Sequence, residues 1–253
     1  MGMHFSPFSI GYLLVSAYFH YGPKQNVKNI NKHAILDLIR FTPGGISRAE
    51  LARQIGLSRA AVSTIINDLI APGAVRETAR RAGTSGRPRT LLEITPEAGY
   101  VAGIDMGASH LRIVIANFAA HALEEEEIAL NIADGPDICI AQTDTLLRDL
   151  LMRANLQIDA LAAIGICVPG PISSDAGMVI APPIMPGWDR FPIRDTLEKL
   201  WGRPVSVNND AKLGALGEWA YGAGRGTRDL AYIKVGTGIG AGLLIDGRIY
   251  RGS

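Results

Sequence analysis

At Tyr100 the chain changes its period, and a single small domain does not accommodate both patterns. Before that point, short amphipathic segments are punctuated by helix caps. After it, apolar runs of strand length alternate with glycine turns and longer helical segments. A chain of 253 residues has room for both. The reading is a small domain over residues 24–95, an α/β domain over 99–253, and a leader over 1–23.

The first region is written in caps. "INKHAILDLIRF" predicts a helix with Ile35, Leu38 and Ile39 on one face. After Pro43-Gly44-Gly45, Ser47 and Glu50 make a capping box for "ISRAELARQIG", which Gly56 ends. Ser58 then caps "LSRAAVSTIINDLIAPGAV", with Val62, Ile65, Ile66 and Leu69 inward and Arg59, Ser63, Thr64 and Asn67 outward. Two short helices about a tight turn, the second with a small polar face, predict a helix-turn-helix. Ser58, Arg59, Ser63, Thr64 and Asn67 are of the kind that reaches base edges in a major groove. "VRETARRAGTSGRPRTLLEIT" predicts a hairpin wing with its tip at Gly83 to Gly86. Arg80, Arg81, Arg87 and Arg89 beside that tip suit a narrow minor groove. A small helical domain with a solvated basic face is the structural alternative.

Charge supports the DNA reading. Residues 24–90 hold 12 Lys/Arg against 4 Asp/Glu, whereas 91–253 hold 13 against 20. A basic head on an acidic body points to a polyanion partner. With 47% hydrophobic and 19% charged residues, the chain is not of the disordered class. "IGYLLVSAYF" (10–19) falls short of the about 20 apolar residues of a bilayer span, and no Lys or Arg precedes it as in a signal peptide. Cys139 and Cys167 make neither a disulfide framework nor a four-ligand zinc site. The expectation is a cytoplasmic protein with no membrane partner and no metal.

In the body, "YVAGIDMGASHLRIVIANF" predicts strand, turn, strand, and "ALEEEEIALNI" a solvated edge strand rather than a metal site. Helices over "PDICIAQTDTLLRDLLMRANL" and "IRDTLEKLWG" alternate with strands in "LAAIGICVPGPI" and "PVSVNN", giving a mixed sheet. Three loops stand at strand ends. "GIDMGAS" puts Asp105 at the end of an apolar strand, where it needs a partner, and Gly107 where backbone can approach a ligand. "VNNDAKLGALGE" sends Asn209 and Asp210 out of a strand, an amide for hydroxyls and a carboxylate to take a proton. "VGTGIGAG" frees backbone N–H groups for phosphate. Each also reads as a tight turn, and Asp210 as a helix cap. None fits G-x-G-x-x-G, and there is no G-K-[ST].

In this order and spacing the loops resemble the ROK family: repressors, open reading frames and sugar kinases of the actin-like, hexokinase-like ATPase superfamily. The resemblance covers about residues 24–253. It rests on "GIDMGAS", "PGPISSDAGMV…MPGW", "NNDAKLGALGE" and "GTGIGAG", and the winged helix in front is similar to the repressor branch. It implies an incomplete actin-like/hexokinase-like domain behind the winged helix-turn-helix. Asp210 would match the kinases' catalytic base, Asn209 a sugar ligand, and Asp105 a metal-nucleotide positioner. Gly107, Ser109, Gly236, Thr237 and Gly238 would lie on ATP phosphates.

The sequence departs from the kinase pattern. Ala108-Ser109 stands for Gly-Thr, His110 follows, and Ile184 stands where kinases carry a sugar-binding Asn. The family's E-I-G-H segment and Cys-rich zinc motif are not in this chain, which reads as a piece of a longer product. The expected function is a sequence-specific DNA-binding regulator of sugar metabolism, of the repressor kind. It would be a homodimer on operator DNA with a sugar or sugar-derivative effector. The alternative is an ATP-dependent sugar kinase using Asp210 as base; only that reading requires ATP and Mg.

Overall fold

The computed structural model describes residues 27–42, 44–80, 89–173 and 176–250. The leader and the wing tip, with Arg81 and Arg87, lie outside the described residues. Two compact units divide the chain: one runs to Gly99 and takes in Asn117–His121, and the other holds Tyr100–Ala116 and the chain from Ala122 onward.

The first unit is a winged helix. Helix α1 (Val27–Phe41) buries Ile35, Leu36 and Ile39, while Leu38 is only half-buried. Ile35 and Ile39 are thus inward as expected, and Leu36 takes the third place from Leu38, where α1 packs against both the next helix and the wing. Gly45, at φ +85°, lets the chain enter the wing sheet, where Ile46 and Leu92 exchange backbone bonds of 3.3 and 2.9 Å. The Ser47–Glu50 capping box opens α2 (Arg48–Ile55), and Gly56 ends it at φ 75°. Ser58 caps α3 (Arg59–Ile70), accepting the Ala61 N–H. Val62, Ile65, Ile66 and Leu69 face the core, each worth about 1.5–3 kcal/mol of burial. Antiparallel β1 (Val75–Arg80) and β2 (Arg89–Ile94) form the wing, with Arg80 opposite Arg89 at its outer end.

The second unit is built on a mixed sheet in the order β5-β4-β3-β6-β9. Its strands are β3 (Tyr100–Met106), β4 (His110–Asn117), β5 (Ala122–Ala129), β6 (Leu161–Val168) and β9 (Val205–Asn209). β6 is apolar along nearly its whole length because it lies between parallel β3 and β9, covered on both faces. β5 is the edge strand; its Glu125 pairs with Arg112, and Glu126 with Arg153. Helix α4 (Pro136–Arg153) contributes Leu146, Leu147 and Leu150 to the core, and α5 (Ile193–Trp201) contributes Ile193, Leu197 and Trp201. Two short strands, β7 (Ile172–Ser173) and β8 (Met178–Val179), form a hairpin. Beyond them Trp188 is fully buried, its Nε1–H donating to the Ile132 carbonyl at 3.1 Å.

The last strands do not extend this sheet. β10 (Leu230–Val235), β11 (Ile239–Ile245) and β12 (Arg248–Ile249) form a separate antiparallel sheet. It packs on α6 (Asp210–Tyr221) through a seam of small residues. A Cβ at Gly242 would run into the Ala211 carbonyl and lie 2.7 Å from the Ala215 Cβ; one at Gly214 would meet the Tyr232 ring. The face away from α6 carries Ile233, Val235, Ile239, Leu243 and Ile245, all exposed.

The glycines of "GTGIGAG" therefore divide by position. Gly242→Ala is expected to destabilise the second unit by about 1–3 kcal/mol, because the helix must move off the strand. Gly236→Ala, with nothing within 4 Å of the added carbon, is expected to stay within about 0.5 kcal/mol. Urea denaturation of the two variants measures the contrast.

Candidate functional site

In the first unit, the face of α3 is presented as its sequence predicts. Ser58, Arg59, Thr64 and Asn67 are exposed and Ser63 is half-buried. Thr64 Oγ1 donates to the Ala60 carbonyl at 3.1 Å, which leaves its acceptor lone pairs outward. A residue that sequence reasoning missed orders this surface. Arg48 donates to Glu77 Oε1 from Nε and Nη2 at 3.0 and 2.8 Å, to Asn67 Oδ1 at 3.1 Å and to the Ser63 carbonyl at 3.3 Å. One guanidinium thus ties the start of α2, the outer face of α3 and the first wing strand. Its planar fork suits three acceptors in a way a lysine does not. No local signal marks Arg48, since it acts through tertiary contacts.

In the second unit, the second loop contacts β10 at Lys234, and Asp105 of the first lies within that lysine's field. Asp105 leaves β3 with both oxygens engaged: Cys167 Sγ, on β6, lies 3.2 Å from Oδ1, and His110 Nε2 lies 3.3 Å from Oδ2. The His110 ring folds over Gly107, so that a Cβ there would collide with it. Asp210, at the first position of α6, accepts the Ala211 N–H on Oδ1 at 2.8 Å and the Lys234 ammonium on Oδ2 at 2.6 Å. The Asp210 side chain is 12% exposed and Lys234 34%. Asn209 caps α6, its Oδ1 accepting from Ala211 and Lys212 and its Nδ2 donating to the Gly170 carbonyl.

The remaining loop positions are more open. Ser109 is exposed, and Gly236, Thr237 and Gly238 form an exposed turn closed by Gly236 N–H donating to the Gly238 carbonyl at 2.9 Å. Among the described residues no cluster of His, Cys, Asp and Glu has the makings of a metal site. Ile184 is half-buried against the core beside buried Met185 and Trp188.

The electrostatics follow from these contacts. Burial opposes ionisation of Asp105, yet the His110 hydrogen bond and the Lys234 charge together hold its carboxyl below the usual range. The Asp105 bond raises His110, against its own partial burial. Burial opposes the charged form of Lys234, but Asp105 and Asp210 outweigh it and keep the ammonium charged. Burial and the nearby carboxylates push the Cys167 thiol well above its ordinary value, so it stays protonated and can donate. Lys234 was legible in one respect. It sits at an inward position of "LAYIKV", whose alternation buries Leu230, Tyr232 and Lys234 more than their neighbours. A lysine on that side requires a counter-ion.

Comparison with known proteins agrees with both units. The ROK family model matches residues 101–253, and the MarR family model matches 28–87. The xylose repressor of Caldicellulosiruptor bescii is 31% identical over 227 residues, covering 90% of this chain and 56% of that protein. The glucokinase of Halalkalibacterium halodurans is 32% identical over 153 residues, covering 60% of this chain and 46% of that enzyme. Among solved structures, a ROK family transcriptional regulator homologous to the E. coli MLC protein superposes with a TM-score of 0.71. It is 25% identical and covers 89% of this chain and 57% of that one. The chain spans a little over half the length of the regulators it matches.

The His110–Asp105 pair predicts a sign of pH dependence. His110 is raised above its ordinary 6.5, so its share of the stability is complete below 6.5 and is lost as pH rises through the folded value. Asp105 is held below 3.8, so its share is complete above 3.8 and is lost as pH falls through the folded value. The pair contributes most between those limits. Solvent reaches both groups, which limits the contribution to about 0.5 kcal/mol. Relative to His110→Gln, the wild-type chain is expected to lose about 1–2 °C of Tm between pH 6 and pH 8, by scanning calorimetry.

Proposed function

The chain belongs to the ROK family, and from that membership we propose that it is a sequence-specific DNA-binding transcriptional regulator, of the repressor kind, acting on sugar metabolism. The observation that carries this reading is the winged helix with its capped, outward polar α3, joined to a ROK body and matched over 90% of the chain by a xylose repressor. Ser58, Arg59, Ser63, Thr64 and Asn67 read the major groove, with Arg48 holding α3 against the wing. Arg80, Arg81, Arg87 and Arg89 reach the flanking minor groove. A homodimer places two such heads on a roughly palindromic operator. The body senses a sugar or sugar derivative, Asp210 accepting a hydroxyl and Asn209 shaping the helix start beside it. No helix among the described residues is long and apolar enough to cross a membrane, and the proposed place of action is the cytoplasm.

The kinase alternative requires Mg and ATP, and the residues present do not fit that pair. The carboxylate that would position a metal-nucleotide is already bonded by His110 and Cys167. The backbone of Gly107, where a phosphate needs close approach, lies under the His110 ring. The carboxylate that would take a hydroxyl proton is ion-paired with Lys234.

Fluorescence anisotropy of the whole chain on DNA from upstream of its own gene, against scrambled DNA, tests the regulator reading. Specific binding that weakens steeply with salt is expected. Arg59→Ala is expected to reduce specific affinity by about 5- to 150-fold if it reads a base edge. Arg87→Ala with Arg89→Ala is expected to weaken binding most at A·T-rich flanks. Equal affinity for operator and scrambled DNA would overturn the assignment of α3 as a reader.

A further inference from the structure

Lys234 joins the charged cluster although no expectation of this fold assigns it a role. It comes from β10, which belongs to a different sheet from the strands carrying Asp105 and Cys167. It reaches Asp210 at 2.6 Å and lies within the field of Asp105. Its ammonium stands where positive charge is needed, beside two carboxylates drawn from β3 and the start of α6. His110 and Cys167 supply the bonds to the Asp105 carboxylate.

We propose that Lys234 stands in for a divalent cation: its ammonium, bonded to the Asp210 carboxylate, supplies the positive charge there, so that the body takes its small-molecule ligand without a metal ion. A metal approaching Asp210 must first displace an ammonium held by a short, charge-assisted bond. It must then remain beside that positive charge in a partly dehydrated site, where repulsion is strong. A lysine makes the opposite bargain to a metal. It brings one positive charge and three N–H donors, and it presents no open coordination position through which a phosphate oxygen could be polarised. The same side chain therefore neutralises Asp210 and closes it to metal-assisted phosphoryl chemistry.

This inference deepens the sensor reading and rests on it, but its test needs neither DNA nor sugar, so the two fail separately. The full chain is titrated with Mn²⁺, and free Mn²⁺ is followed by electron paramagnetic resonance. Wild type, Asp210→Asn, Lys234→Gln, Lys234→Met and the double variant Lys234→Gln/Asp210→Asn are compared, with far-UV circular dichroism as the check on folding. The wild type is expected to bind Mn²⁺ no more tightly than Asp210→Asn. Lys234→Gln and Lys234→Met are each expected to gain at least about tenfold in affinity at one site, as removal of an adjacent positive charge requires, and the double variant is expected to lose that gain. Wild-type binding that Asp210→Asn removes would overturn the proposal. So would folded Lys234 variants that bind Mn²⁺ no better than wild type. Should neither Lys234 variant fold, the comparison of wild type with Asp210→Asn decides alone.

Discussion

The second unit depends on how closely α6 lies on the β10–β11 hairpin. Strand and helix backbones come near enough there that Gly242 has no room for a methyl group between Ala211 and Ala215, and Tyr232 lies over Gly214. Such contacts forbid even a small side chain, so they fix the spacing and the rotation of the hairpin on the helix. The consequence reaches the charges. Once β10 is held in this register, its inward residues fall on the first turns of α6, and the Lys234 ammonium meets the Asp210 carboxylate. An acidic side chain at the first position of a helix is already favoured by the helix dipole. A steric constraint among glycines and alanines thus determines an electrostatic one at Asp210.

The head works on the same principle at a smaller scale. Gly45 takes a left-handed backbone conformation, and a Cβ there would press on Leu91 and Leu92. That turn delivers Ile46 to the wing sheet and, two residues later, places Arg48 at the start of α2. From there the guanidinium reaches Glu77 on β1 and Asn67 on α3. Helix α3 is oriented by packing beneath it and by one branched cation at its side. Arg59 and Thr64, exposed on α3, inherit their positions from that frame.

Much of this was legible in the chain. Caps are local, so Ser47, Glu50, Gly56 and Ser58 declare the helix-turn-helix without tertiary information, and the structure has each in its expected role. The alternation of strands and turns after Tyr100 is equally local. What the sequence does not declare is pairing at long range. Nothing near Asp105 foretells Cys167, 62 residues away, and nothing near Asp210 foretells Lys234, 24 residues away. In α1, Leu36 rather than Leu38 joins Ile35 and Ile39 inside for the same reason, since two partners from elsewhere in the chain decide which side is inner. Amphipathic period gives an axis for burial, and the neighbours give its angle.

The loop "GTGIGAG" shows how one motif can carry two physical demands. Gly236 and Gly238 lie in an exposed turn with open space around them, the condition for a backbone that meets a ligand. Gly240 and Gly242 face α6 and are small because the helix is there. The first pair is free of packing demands; the second concerns fit, and it is the second that brings Lys234 to Asp210. A hydroxyl approaching that carboxylate meets oxygens already bonded to a backbone N–H and to an ammonium. It must share an oxygen with Lys234 or displace it, and displacement weakens what holds β10 against the start of α6. In an enzyme that competition would oppose turnover. In a sensor it is an asset, because a ligand shifts a conformational equilibrium only by as much as it favours one arrangement of the chain over another.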